Sequence, residues 1–206
     1  MNKKLFLLSY ITLSLLLFGC TQNVPAQDTS LQKIDIPEAK ISLFIPNYYK
    51  LKKINNEPNR AGSFSSYNFE STEKSTAGKP YLTEVRFSSK QSIENFNKEC
   101  QKQGDNLCFE GNFPTLESYD AEKKAISEKI SYKDKQHKLF DSRSYLTKTY
   151  QCSGDSCLIK NYTTFVDDIE IDFSIFFWPL EDKYSDEPNI LSDQLFQQLK
   201  IQPIAS

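Results

Sequence analysis

Histidine occurs once in the 206 residues, as His137, and methionine and tryptophan also occur once each. That scarcity narrows the chemistry open to the chain. A Ser-His-Asp triad or a Cys-His pair has one imidazole to draw on. That imidazole lies in KDKQHK, a stretch that reads as a solvated turn with nothing nearby to tune it as a general base. Glycine is also sparse, at six residues. There is no G-x-S-x-G elbow, no phosphate-cradling glycine loop and no H-E-x-x-H helix. Asp167-Asp168 reads as a turn between strands, where aspartate is favoured for its own sake. No catalytic residue, metal ligand set or cofactor is assigned on these grounds.

An excess of positive charge is missing as well. Twenty-five Lys and Arg stand against 27 Asp and Glu, a net charge of −2. Nucleic-acid binding wants clustered positive charge, so that class is set aside. Valine is nearly absent, at positions 24, 85 and 166 only, while Phe and Tyr number 15 and 11. Aromatic residues suit pleated strands, and the composition leans towards β structure. After residue 18 no apolar run is long enough to span a bilayer, which takes roughly 20 residues.

What is present begins at the N-terminus. Lys3 and Lys4 form a basic start, Leu5 to Phe18 is mostly apolar, and LLLFGCTQNV turns abruptly polar. The run is short and sharply ended, which reads as a cleaved secretion signal over residues 1–19. Leu17-Phe18-Gly19-Cys20 resembles the lipobox of bacterial lipoproteins, in which a small residue precedes the cut and the cysteine thiol accepts acyl chains. Phe18 departs from that pattern, which usually has a smaller residue there. The resemblance implies lipidation at Cys20 and a mature chain that starts there. One acyl chain binds membranes marginally, at about 0.8 kcal/mol per buried methylene, and two or more anchor stably. Thr21, in place of the aspartate that retains lipoproteins in the inner membrane of enterobacteria, implies the outer membrane, facing the periplasm. Loss of Lys3 and Lys4 takes the net charge from −2 to −4. The mature chain is thus expected to have no attraction to anionic lipid beyond its anchor.

The other cysteines are Cys100, Cys108, Cys152 and Cys157. An even number in an oxidising compartment reads as two disulfides. The local pairings Cys100–Cys108 and Cys152–Cys157 are expected. A zinc site is disfavoured because neither spacing is Cys-x-x-Cys and one histidine is on offer.

Residues 20–32 read as the acylated cysteine and a tether, and 33–206 as one α+β domain. Ile34 and Ile36 alternate, and Ile41, Leu43 and Ile45 alternate again before Pro46, which is a strand-pair signal. FSSYNFES and YLTEVRFSS are further strands. Ser92 is expected to cap a helix carrying Ile93, Phe96 and Cys100, which Gly104 would end. Residues 105–125 read as irregular, with a short helix near 116–124. KISY, HKLFDSRSYLTKTYQ, LIKNYTTFV and IEIDFSIFFW read as an antiparallel meander. Asn189 is expected to cap a last helix with Leu191, Leu195 and Leu199 on one side and Phe196 alongside, ended by Pro203. The expected fold is α+β, an antiparallel sheet of six or seven strands with two helices packed on it.

This order resembles the PsbP-like family of small secreted domains. It shares an early strand ending in proline, ISLFIPNYY, a helix after the third or fourth strand, a long meander and a closing helix. The resemblance covers residues 33–202. It implies a non-enzymatic binding or assembly-assisting role and carries over no catalytic residue.

In IEIDFSIFFW, the residues Ile169, Ile171, Phe173, Ile175 and Phe177 share one face. Glu170, Asp172 and Ser174 share the other, which ends in Phe176 and Trp178. That aromatic end is either covered by a loop or serves as a partner contact, since exposed aromatic clusters mark interfaces. The expected function is a membrane-anchored periplasmic lipoprotein that binds an envelope protein partner without catalysis. An immunity lipoprotein blocking a periplasmic toxin is the second reading, and an envelope hydrolase using carboxylates the third.

Overall fold

Ile41, Leu43 and Ile45 alternate with Ser42 and Phe44 along one strand, and the first three are almost wholly buried. That strand is the centre of a small sheet, described here from a computed structural model that covers residues 30–56, 62–71, 81–103, 115–151, 157–177 and 187–204. The strands are β1 (Leu31–Ile36), β2 (Ile41–Pro46), β3 (Tyr49–Asn55), β4 (Ser63–Ser71), β5 (Tyr81–Ser89), β6 (Lys135–Phe140), β7 (Arg143–Gln151), β8 (Leu158–Val166), β9 (Ile169–Phe177) and β10 (Lys200–Pro203). The helices are α1 (Lys90–Gln103), α2 (Leu116–Glu128) and α3 (Glu187–Gln198). Strands β1, β2 and β10 form a three-stranded sheet, and the other seven form a sheet in the order β3-β4-β5-β9-β8-β7-β6. All pairings are antiparallel. The fold is α+β.

The two sheets share one core. Ile36, Ile41, Leu43 and Ile45 of the small sheet belong to the same buried cluster as Tyr67, Val85, Phe87, Tyr162, Ile171 and Phe173 of the large one. Helix α3 closes that core. Its Phe196 stacks on Tyr162, with ring centroids 4.0 Å apart, and meets Phe173 edge-on at 5.3 Å. Leu195 and Leu199 are buried beside it, as the apolar stripe predicts. Helix α2 lies on the other side of the large sheet, where Tyr119 meets Phe165 edge-on at 5.1 Å. Helix α1 packs beside α2 and against β4 and β5. Its approach depends on Gly62, whose φ is +71° and where an added Cβ would stand 3.1 Å from the Ile93 backbone.

Several boundaries differ from the expectation. Strand β1 starts at Leu31, inside the segment read as tether. Strand β3 was not foreseen, because three lysines and a bulge between Leu51 and Lys53 break its alternation. Helix α1 is capped by Ser89 rather than Ser92. The Ser92 amide donates to Ser89 Oγ at 3.0 Å, and the Ser89 amide donates to Ser92 Oγ at 2.8 Å. Gly104, its expected stop, lies outside the described residues. Helix α2 runs to Glu128, capped by Thr115 and closed by left-handed Lys129, so KISY is helix end and connector rather than strand. HKLFDSRSYLTKTYQ is two strands, because Asp141 and Ser142 both take positive φ, 46° and 63°, and make a two-residue hairpin turn. Helix α3 begins at Glu187, ahead of Asn189, and Pro203 ends strand β10 rather than a helix.

Candidate functional site

The side of the large sheet facing α2 carries a row of polar residues brought into register by the strand pairing. Arg86 of β5 stands opposite Asp172 of β9, and Asp172 stands opposite Thr163 of β8. Thr163 in turn stands opposite Leu146 of β7, and Leu146 opposite His137 of β6. Within this row Arg86 Nη2 lies 2.6 Å from Asp172 Oδ2. Thr163 Oγ1 donates to Asp172 Oδ1 at 2.6 Å. Both Asp172 oxygens are therefore held, one by a cation and one by a hydroxyl. Glu84 flanks the row, 3.8 Å from Arg86 Nε.

Glu170, two residues before Asp172, is 6% exposed, and its Oε2 has no hydrogen-bond partner. Burial, with repulsion from Asp172 added, pushes its carboxyl up to about 8, against the pull of Arg86 and Lys135. Lys135 reaches in from edge strand β6 and pairs with Glu122 of α2. Burial, then the charge of Lys148, lowers the Lys135 ammonium pKa. Tyr119 of α2 completes the cluster. Its hydroxyl donates to the Asp168 carbonyl, and burial, with Glu170 and Asp168 nearby, raises it to about 12. Arg86 is thus set against Asp172 and Glu84, and Lys135 against Glu122.

Glu170 is tuned as a general acid would be, but its side chain is buried. A cleft of about 440 Å³ opens nearby, between the start of α1, helix α2 and the β8–β9 turn. It is lined by Lys90, Glu94, Tyr119, Asp120, Lys123 and Asp168 among others. Lys90 is held by Asp120 at 2.8 Å and Lys123 by Asp168, so each cation in the cleft is matched by a carboxylate. Contact with Lys123 holds the Asp168 carboxyl below the usual range. Asp167 and Asp168 make the tight turn expected of them, with Asp167 at φ 53°.

A second buried charge sits on the core side. Lys160 is 2% exposed and donates to Asn189 Oδ1 at 2.5 Å, so Asn189 serves the lysine instead of capping its helix. Burial, then repulsion from Lys138, lowers the ammonium to about 8, against the pull of Asp193. Lys138 pairs with Asp193 at 2.7 Å.

The residues singled out from the sequence fall in several places. Phe176 is half-buried on β9, opposite Ile159 of β8, at the end of the polar side. Trp178 lies outside the described residues, as do Cys20, Cys108 and Cys152. Cys100 is half-buried in α1 and Cys157 is buried at the entry to β8, and each is disulfide-bonded. His137 is on strand β6, not in a solvated turn, and its Nε2 is buried without a hydrogen-bond partner. KDKQHK carries no sign of that burial. Among the described residues no three His, Cys, Asp or Glu side chains gather as a metal cage. No helix among the described residues is long and apolar enough to cross a membrane. Arg86, Lys135, Glu122 and Lys160 were not foreseen as a group. The one available signal was the charged alternation of β9, where acids occupy a face that a helix turns out to cover.

No family model and no curated protein matches the chain. Among solved structures, the chain is similar to the solution structure of cyanobacterial PsbP (CyanoP) from Synechocystis sp. PCC 6803. The two are 18% identical with a TM-score of 0.43, over 89% of this chain and 98% of that one.

Proposed function

We propose that the chain is a lipid-anchored envelope protein that binds a protein partner and performs no catalysis of its own. The anchor reading rests on Gly19-Cys20 at the end of a short apolar run. The binding reading rests on one observation, the end of the large sheet's polar side, where half-buried Phe176 stands beside Ile159. Arg86 and Asp172 on that side are paired with each other, and Glu170 is buried. A catalytic acid must touch substrate, and Glu170 is enclosed. A partner surface needs an apolar spot within a polar surround, and the Phe176 end supplies that pattern.

The test is to express the full-length chain and its Cys20→Ser variant with a C-terminal tag, fractionate the cells and identify what co-purifies. The proposal expects the wild type in the membrane fraction, the variant in the soluble periplasm, and the same partner with both. Membrane association unchanged by Cys20→Ser contradicts the anchor. A partner that is itself a toxin assigns neutralisation as the role of the binding. Turnover of a cell-wall substrate lost on Glu170→Gln contradicts the non-catalytic reading.

A further inference from the structure

Strand β3 is an edge of the large sheet, and five of its seven residues, Lys50, Leu51, Lys52, Lys53 and Ile54, are exposed. A strand on a packed sheet ordinarily buries every second residue, so exposure on both sides marks this edge as standing clear. The bulge at Lys52 sorts the side chains. Leu51 and Ile54 stand opposite Phe69 and Tyr67, and Lys50 and Lys53 stand opposite Glu70 and Asn68. Two apolar residues, 36% and 47% exposed, thus flank one side of the edge and two lysines the other. Lys52 is matched by Glu70 at 3.4 Å, while Lys50 and Lys53 have no ion-pair partner among the described residues. Lysines on an edge strand discourage pairing with another sheet. That role does not account for Leu51 and Ile54, which invite the very contact the lysines oppose.

The position of this edge supplies the reason. Ser30 is pinned to the turn that leads into β3. The Asn47 amide donates to the Ser30 carbonyl at 3.0 Å. The Gln32 side chain reaches the carbonyls of Pro46 and Tyr49, the first residue of β3. Ser30, the first described residue, therefore stands at the root of the strand, and a stretch as long as that from Cys20 to Ser30 spans at most about 35 Å. A bilayer holding an acylated Cys20 is within reach of β3.

We infer that β3 rests edge-on against an anionic phospholipid surface, with Lys50 and Lys53 on headgroup phosphates and Leu51 and Ile54 at the level of the headgroups. The inference rests on the anchor reading of Cys20. It departs from the expectation drawn from the net charge of −4 on the mature chain, because the unmatched lysines Lys50 and Lys53 stand together at one edge. Each lysine near an anionic surface strengthens the contact about fivefold at physiological salt, and the gain falls off within a Debye length.

The experiment uses the acylated full mature protein in vesicles, either all phosphatidylcholine or one-third phosphatidylglycerol. Lysines are acetylated briefly and the sites are quantified by mass spectrometry. The expected result is labelling of Lys50 and Lys53 at least threefold slower on the anionic vesicles, with Lys98 and Lys102 of α1 unchanged, and loss of the difference in 0.5 M salt. Equal labelling on both vesicles overturns the inference and leaves the anchor standing. A chain whose intact mass shows no acyl groups overturns the anchor reading before any lysine is labelled. Uniform protection of all four lysines assigns the effect to non-specific adsorption and also overturns the inference.

Discussion

Arg86 Nη2 lies 2.6 Å from Asp172 Oδ2 across the β5–β9 pair, under a helix, with Glu170 two residues away on the same strand face. This pair organises the polar side of the sheet. Its side chains are 25% and 17% exposed, so it is neither a surface bridge of small consequence nor a fully dry one. Removal of one partner leaves the other uncompensated beside a second acid. Arg86→Met is expected to destabilise the fold by about 3 kcal/mol, and the double change Arg86→Met with Asp172→Leu by distinctly less. Denaturant unfolding of the two variants checks this. Equal losses would mean that the pair contributes through packing alone.

Glu170 carries a pH dependence whose sign follows from its raised pKa. The folded chain keeps the proton up to about 8, while the unfolded chain releases it near the ordinary value of 4.5. Stability from this group is therefore fully present below 4.5, declines through the interval between, and is gone above about 8. Glu170→Gln is expected to flatten that decline and to exceed the wild type at pH 8 by on the order of 3 kcal/mol. Thermal unfolding at pH 5 and pH 8 measures it. A variant that tracks the wild type at both pH values contradicts a buried, protonated Glu170.

Lys160 has the opposite slope. Its ammonium is lowered to about 8 in the folded chain, from an ordinary 10.5. The unfolded chain therefore binds the proton more tightly, and stability from this group rises as pH climbs from 8 to 10.5. Lys160→Met removes a buried charge of similar bulk. It is expected to stabilise by about 2 kcal/mol at pH 7, with the advantage fading towards pH 10.5. Unfolding curves across that range check the trend, and destabilisation at pH 7 would assign the lysine–Asn189 contact a structural role.

The cysteines give a covalent prediction. Non-reducing peptide maps should show Cys100 joined to Cys108 and Cys152 joined to Cys157. Both are short loops, and closing even a 15-residue loop contributes only about 3 kcal/mol in the chain-entropy model, so reduction should lower Tm modestly without unfolding the sheet. A Cys100–Cys152 link contradicts the local pairings.

The meander and the closing helix were legible because their apolar residues keep a strict period, as in Ile171, Phe173, Ile175 and Phe177. What was not legible has physical causes. The turn at Asp141-Ser142 takes two positive φ angles without the glycine that normally announces them. Strand β3 is lysine-rich and bulged, so its pattern follows neither period. Strand β10 is four residues long and exists because β2 offers it an edge. The candidate site was half legible. The acids of β9 were visible as a polar face, but their partners Arg86, Lys135 and Glu122 come from a distant strand, an edge strand and a helix, and only the strand order brings them together.

The most direct test of partner binding by the polar side is photo-crosslinking in living cells from a photoreactive residue placed at Phe176, with Ile190 on α3 as the comparison. Ile190 is 55% exposed and α3 packs on the opposite side of the sheet. The account predicts a discrete crosslinked partner from position 176 and none from position 190. Crosslinks from both positions alike, or from position 190 alone, contradict it.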